Sequence, residues 1–297
     1  MGNTELGAFL TVQCIMCIAA LGHYLPLSMK QLDVGIAGYM AIGAYTSALL
    51  TRNHDVSFAV ALLAGTGAAA LAALIIDSLA TRVRLSGFAY AIFSLSFAES
   101  LRVILNNADF AGATTGLAGI KPHTTLGLAA TLLALTIAGF VILDRTRLGQ
   151  LKTAICDDEF IVPQMGVPLL ATKLTIFAIG GALGGLSGGL FAHYVIFIRP
   201  DDFGFALLIA IQLPIVFGGL DRFYGALVGT VLLATLPELV RGLGNYRLLF
   251  IGAATMLLLA LRPAGLVSHD NIRWIAGRFD SVRALFGGRR RNEEAAR

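Results

Sequence analysis

Leu174-Thr-Ile-Phe-Ala-Ile-Gly-Gly-Ala-Leu-Gly-Gly-Leu-Ser-Gly-Gly-Leu-Phe-Ala-His-Tyr-Val-Ile-Phe-Ile198 runs for 25 residues without Asp, Glu, Lys or Arg. About 20 such residues suffice for a helix to cross a bilayer. Its glycines fall into overlapping Gly-x-x-x-Gly spacings that start at Gly181, Gly184 and Gly185 and end at Gly185, Gly188 and Gly189. Gly225 and Gly229 repeat the spacing further on. Small residues four apart put a smooth stripe on one helix face and let backbones approach closely in lipid. The stripes serve helix packing, either inside the chain or against a second membrane-spanning chain.

Similar apolar runs occupy much of the sequence. They lie at about 6–29, 32–51, 57–80, 86–105, 123–143, 174–198, 204–221, 223–240 and 248–266. The second and seventh are Gly-rich and read as broken or re-entrant segments, which lipid tolerates where they pack on protein or line a cavity. Apolar residues make up 57% of the 297 residues and charged residues 13%, about half the charge of a soluble domain. These proportions exclude a soluble enzyme and a disordered chain. The sequence therefore predicts an all-α, polytopic transmembrane bundle of about 8–10 spans over residues 1–267. Residues 268–297 form a basic tail in which Trp274, Ile275, Phe279, Val282 and Leu285 alternate with Arg, the pattern of a helix on an anionic leaflet.

The first span does not read as a removable signal, because Glu5 stands where positive charge is expected. Cys14, Cys17 and Cys156 make neither a disulfide framework nor a metal site. With nine crossings, one set of loops and the tail hold 16 of the 22 basic residues, and the opposite set holds five. Arg102 falls inside a span. Positive loops stay inside, so the N-terminus is placed outside and the C-terminus in the cytoplasm. The same distribution points to membrane lipid as the electrostatic partner, not nucleic acid.

Residues 144–173 form an unusually long cytoplasmic connection. From Leu148 to about Val162 its apolar residues recur every three or four positions, which predicts a short amphipathic helix limited by Pro163. That helix either packs on its own spans and the headgroups or docks a cytoplasmic partner. The chain holds no phosphate-binding loop and no Gly-Lys pair, so an ATP-driven process would need ATPase activity from another subunit.

Several motifs, in order over about residues 30–266, resemble the permease subunits of ABC importers for branched-chain amino acids, the LIV type, and more closely the M-like member of the usual pair. They are Gly35-Ile-Ala-Gly-Tyr-Met-Ala-Ile-Gly-Ala-Tyr45, Glu99-Ser-Leu-Arg102 with Asn106, and Thr114-Thr-Gly-Leu-Ala-Gly-Ile120. Arg145-Thr-Arg-Leu-Gly149 through Gly166, Ala182 through Gly189, and Arg199-Pro-Asp-Asp-Phe203 follow. The series closes with Gly218-Gly-Leu-Asp-Arg-Phe-Tyr-Gly225 and Arg262-Pro-Ala-Gly-Leu266. Where the family reads Ala-Ile-Arg-Glu-Asn-Glu, this chain has Ala154-Ile-Cys-Asp-Asp-Glu159.

The resemblance implies an inner-membrane transport subunit that is not itself an enzyme and binds no cofactor. ATP and Mg would be used by two partner ABC ATPases. A second permease subunit would complete the pore, and a periplasmic binding protein would deliver the substrate. Gly149, Ala154, Ile155, Cys156, Asp157, Asp158 and Glu159 would make the ATPase-coupling contact, with Gly166 ending the turn. Gly35, Gly38, Gly43, Glu99 and Arg102 are candidates for the translocation pathway. Glu99 and Arg102, three residues apart on one helix face, read more readily as a structural ion pair than as pathway residues. Asp201 and Asp202 meet a binding protein or form a solvated loop.

Two other readings remain at this level. The resemblance implies branched-chain or other apolar amino acids as substrate, while some relatives of this type carry urea or short amides. An autonomous secondary carrier is the reading from another class, but beyond Glu99 the spans show no clear set of acidic ion ligands. Ser187 and His193, six apart on one helix, are too far round it to form a nucleophile–base pair.

Overall fold

Apolar runs of this length become helices because lipid offers no partner for backbone N–H and C=O groups, and a helix satisfies them within itself. The computed structural model describes residues 3–85, 87–159, 161–164 and 166–239, with Gly252 and Met256. In order, the helices are α1 (Asn3–Leu27), α2 (Ile36–Asn53), α3 (Phe58–Arg82), α4 (Gly87–Asn106) and α5 (Leu126–Arg145). They continue with α6 (Arg147–Asp157), α7 (Ile161–Gln164), α8 (Leu169–Val195), α9 (Phe205–Gly218) and α10 (Phe223–Leu239). Among the described residues six segments are long and apolar enough to span a membrane. The fold class is the all-α polytopic bundle predicted above. The ninth apolar run, 248–266, lies outside the described residues except for Gly252 and Met256, as does the tail 268–297 with its boundary.

The glycine-rich helix α8 is the centre of the bundle, with α1, α2 and α3 packed around it. The packing follows from its glycines. A Cβ on Gly188 would overlap the Met40 carbonyl of α2, and one on Gly181 would overlap Ala73 of α3. On the α1 side, a Cβ on Gly22 would stand 2.8 Å from the Gly180 carbonyl oxygen. A second glycine contact joins α9 to α10: a Cβ on Gly218 would overlap the Gly225 carbonyl, and one on Gly229 the Pro214 carbonyl. Gly219, at φ +105°, makes the turn between these two helices, a backbone region that glycine enters without steric cost. The α9–α10 pair rests on α1. Leu63, Phe88 and Leu135 are exposed on α3, α4 and α5, as suits side chains that face hydrocarbon.

The second helix starts later than the hydropathy suggests. Residues 28–35 form a non-helical segment whose Met29, Asp33 and Val34 are buried. Buried backbone needs partners, and here side chains supply them. Ser94 Oγ accepts from Val34 N–H at 2.9 Å, and Asp33 Oδ1 accepts from Gly35 N–H at 2.8 Å. The break expected in the second span therefore precedes α2, which is itself a regular helix. At the opposite end of the bundle, β1 (Leu117–Ala118) pairs antiparallel with β2 (Phe197–Ile198) and ties the α4–α5 connection to the end of α8.

Candidate functional site

The chain folds back sharply between α5 and α6. Thr146 is extended, and Gly149 comes so close to α5 that a Cβ there would overlap the Leu143 carbonyl. Glycine at 149 thus lets α6 lie across the end of the bundle. One side of α6 faces inward: Gly149, Lys152 and Ile155 are buried. Lys152 Nζ lies 3.2 Å from Asp144 Oδ1 of α5 and 5.1 Å from the centroid of the Tyr24 ring of α1. The ion pair and the aromatic face together compensate for the burial of the ammonium.

The residues expected to contact an ATPase therefore divide. Gly149 and Ile155 pack against the bundle, Ala154 and Cys156 are half-buried at the flanks, and Asp157 and Asp158 are exposed. Gly166 is exposed at φ +74°, in the turn that leads into α8. The helix also ends earlier than its periodicity predicts, at Asp157 and not near Val162. Asp158 adopts an extended conformation, and Glu159 turns inward, where its Oε2 accepts from Lys173 Nζ at 2.6 Å and Gln31 Nε2 at 3.4 Å. Pro163 lies inside the short helix α7. Between α6, the end of α1 and the α9–α10 turn lies a cleft of about 520 Å³, lined by residues that include Ser28, Gln150, Cys156 and Arg222.

The candidate pathway residues fall into two places. Gly35 precedes α2, and Gly38 faces α4, where a Cβ would stand 3.0 Å from Phe97 and 3.1 Å from the Ala98 backbone. Gly43 packs on Gly185 of α8 and on Gly65 of α3. Gly184 lies against Ile36 and Tyr39 of α2, and Gly189 against Leu62 and Ser47. Glu99 and Arg102 sit near the end of the bundle away from α6. Arg102 donates to Glu99 Oε2 at 2.7 Å and to Asp201 Oδ1 at 2.6 Å, and Asn106 donates to the same Asp201 oxygen at 3.2 Å. Asp202 accepts from Arg199 N–H at 2.8 Å in its own turn.

The sequence reading missed a buried acidic group. Asp77 is fully buried in α3, where Tyr39 of α2 donates to its Oδ2 at 3.3 Å and Tyr90 of α4 donates to its Oδ1. The spans thus hold a buried acidic residue besides Glu99, although among the described residues it forms no cluster of acidic ion ligands. Asp77 lies just over a turn from Arg82 and reads locally as a span boundary, and only the tertiary fold brings the two tyrosines to it. Buried Asp33 lies close by in the 28–35 segment, and burial pushes its carboxyl above the usual carboxylate range, against the pull of the Gly35 N–H. Ser187 donates to the Gly184 carbonyl oxygen at 2.8 Å, whereas His193 Nε2 lies 3.0 Å from Thr51 Oγ1. The two form no catalytic pair.

Comparison with known proteins bears on this geometry. The family described as branched-chain amino acid transport system / permease component matches residues 6–261. The high-affinity branched-chain amino acid transport system permease protein LivM of Salmonella typhimurium is 31% identical over 294 residues, covering 86% of this chain and 68% of LivM. LivM of Escherichia coli is 30% identical with the same coverage. The autoinducer 2 import system permease protein LsrC of an Enterobacter species is 24% identical over 233 residues, covering 76% of this chain and 67% of LsrC. No solved structure matches the chain significantly.

Proposed function

Because this chain belongs to the branched-chain amino acid transport system permease family, we propose that it is the membrane-spanning permease subunit of an ATP-driven ABC importer of branched-chain amino acids. The observation that carries the reading is the match over residues 6–261, which takes in both the helix bundle and the α5–α8 connection. Such a subunit catalyses no reaction. ATP hydrolysis belongs to two separate ATPase subunits, with Mg as their cofactor. A second permease chain completes the pore, and a periplasmic binding protein delivers the substrate.

The bias of basic residues supports an orientation with the α6 end of the bundle in the cytoplasm and the N-terminus outside, and the family supports a bacterial inner membrane. The exposed Asp157 and Asp158, with the flanking Ala154 and Cys156, then face the ATPase, while Gly149 and Ile155 hold α6 on the bundle. ATP-driven closure of the ATPases displaces α6, and the bundle alternates between outward and inward openings. The test is uptake of leucine, isoleucine and valine into proteoliposomes that hold the complete complex. Accumulation that requires ATP and the ATPase subunits supports the reading. Uptake by this chain alone, without ATP, overturns it.

A further inference from the structure

The loop residue Glu159 is bound inward by groups that lie far from it in sequence. Its Oε2 accepts from Lys173 Nζ, 14 residues away in the second turn of α8, and from Gln31 Nε2, 128 residues away in the 28–35 segment. The Lys173 side chain is 6% exposed, so its ammonium depends on this carboxylate to offset the loss of water. The neighbouring Asp157 and Asp158 are exposed. Within three residues the chain passes from two exposed acids to a partly exposed one whose carboxylate is anchored to the buried Lys173.

Besides the packing of Gly149 and Ile155, two ion pairs attach this connection to the bundle, and they lead to different places. Lys152 pairs with Asp144 on α5, the helix that directly precedes α6. Glu159 reaches α8, which the glycine contacts lock to α1, α2 and α3. Through Gln31 it also reaches the segment in which Asp33 holds the Gly35 N–H at the start of α2. A displacement at Asp157 and Asp158 thus has a short polar route into the centre of the bundle, and that route runs through Glu159.

Resting on the importer reading above, we propose that Glu159, with Lys173 and Gln31, is the positioning node that passes ATPase-driven movement of α6 to α8 and to the start of α2. Glu159 then transmits movement through its bonds to Lys173 and Gln31, although its own side chain is 38% exposed. The proposal concerns how much substrate moves for each ATP spent.

The experiment compares uptake and ATP hydrolysis in the complete complex in proteoliposomes, using wild type, Glu159→Gln, the double variant Glu159→Gln/Lys173→Met, and the exchanged pair Glu159→Lys/Lys173→Glu. The double variant matters because it leaves no lone buried charge. Its expected result is normal assembly with the ATPases and about tenfold less substrate moved per ATP, the size of an ordinary coupling between sites. The exchanged pair is expected to recover part of the ratio. A double variant that keeps the wild-type ratio, or that fails to assemble, makes Glu159 a purely structural residue and overturns the inference. A wild-type complex with no ATP-dependent uptake overturns the importer reading instead.

Discussion

Gly43 of α2 lies so close to Gly185 of α8 that a Cβ at position 43 would overlap the Gly185 carbonyl and Cα. The obstruction is backbone, which cannot rotate away as a flexible side chain would. Gly43→Ala should therefore force α2 and α8 apart and destabilise the protein by about 3 kcal/mol or more, the upper end of overpacking effects. Gly188→Ala, against the Met40 carbonyl, should behave alike. Gly67 and Gly139, inside α3 and α5, have no neighbour within 4 Å of a Cβ, and alanine at either should stabilise its helix by about 0.5–1 kcal/mol. Thermal unfolding of the purified variants checks the contrast. Equal behaviour of the two sets would refute the packing account.

The Asp77 carboxylate gives a graded prediction, because Tyr39 and Tyr90 reach it from different helices. Asp77→Leu leaves both tyrosine hydroxyls buried without an acceptor, at about 1–3 kcal/mol for each. Asp77→Asn keeps an acceptor of nearly the same shape and should cost less. Tyr39 donates at a long 3.3 Å, so Tyr39→Phe should be milder than Tyr90→Phe. Midpoints of thermal unfolding in one detergent give the order directly, and a Leu variant as stable as the Asn variant would contradict it.

What the sequence made legible was what its local pattern records. The α8 glycines declare close packing because a four-residue spacing on a helix is itself the packing surface. The start of α6 was legible from three- and four-residue periodicity. Its end was not, since Glu159 is drawn inward by Lys173 and Gln31, and no local pattern announces a partner 128 residues away. Asp77 was missed for the same reason: its tyrosine donors belong to two other helices. Most of the 28–35 segment read as the ends of two spans, and Met29 and Val34 are indeed inside, although Leu32 is exposed. The segment's backbone partners, Ser94 and Asp33, decide that it is not helical.

Two carboxylates outside the spans should respond to pH in opposite directions. Burial raises the Asp33 carboxyl above its ordinary value. The folded state therefore favours the protonated acid, and this stabilisation is lost as pH climbs from about 4, the unfolded value, through the raised folded value. The advantage of Asp33→Asn in unfolding temperature should grow over that climb. Asp55 is lowered, chiefly by the hydrogen bond from Lys121 at 2.6 Å. Its stabilisation is present above the ordinary carboxylate value and disappears as pH falls through the lowered one. The deficit of Asp55→Asn should thus shrink in acid. Parallel profiles for the two variants would contradict the assignment.

Arg102 joins α4 to the turn before α9 by holding Glu99 and Asp201 at once, at 2.7 and 2.6 Å. The Arg102 side chain is 30% exposed and that of Asp201 64%, so solvent screens the pair and its coupling energy should be about 1 kcal/mol or less. Arg102→Ala should nevertheless cost more than Asp201→Asn, because it removes both ion pairs and leaves Glu99 without its partner. In Asp201→Asn the arginine keeps Glu99, and Asn106 still finds an oxygen. A double-mutant cycle on Arg102 and Asp201, repeated at low and high salt, separates these contributions. The expected result is a small coupling that weakens with salt, alongside a larger and less salt-sensitive loss for Arg102→Ala. A coupling of several kcal/mol that ignores salt would mean that this end of the bundle is shut off from water, contrary to the exposure of Asp201.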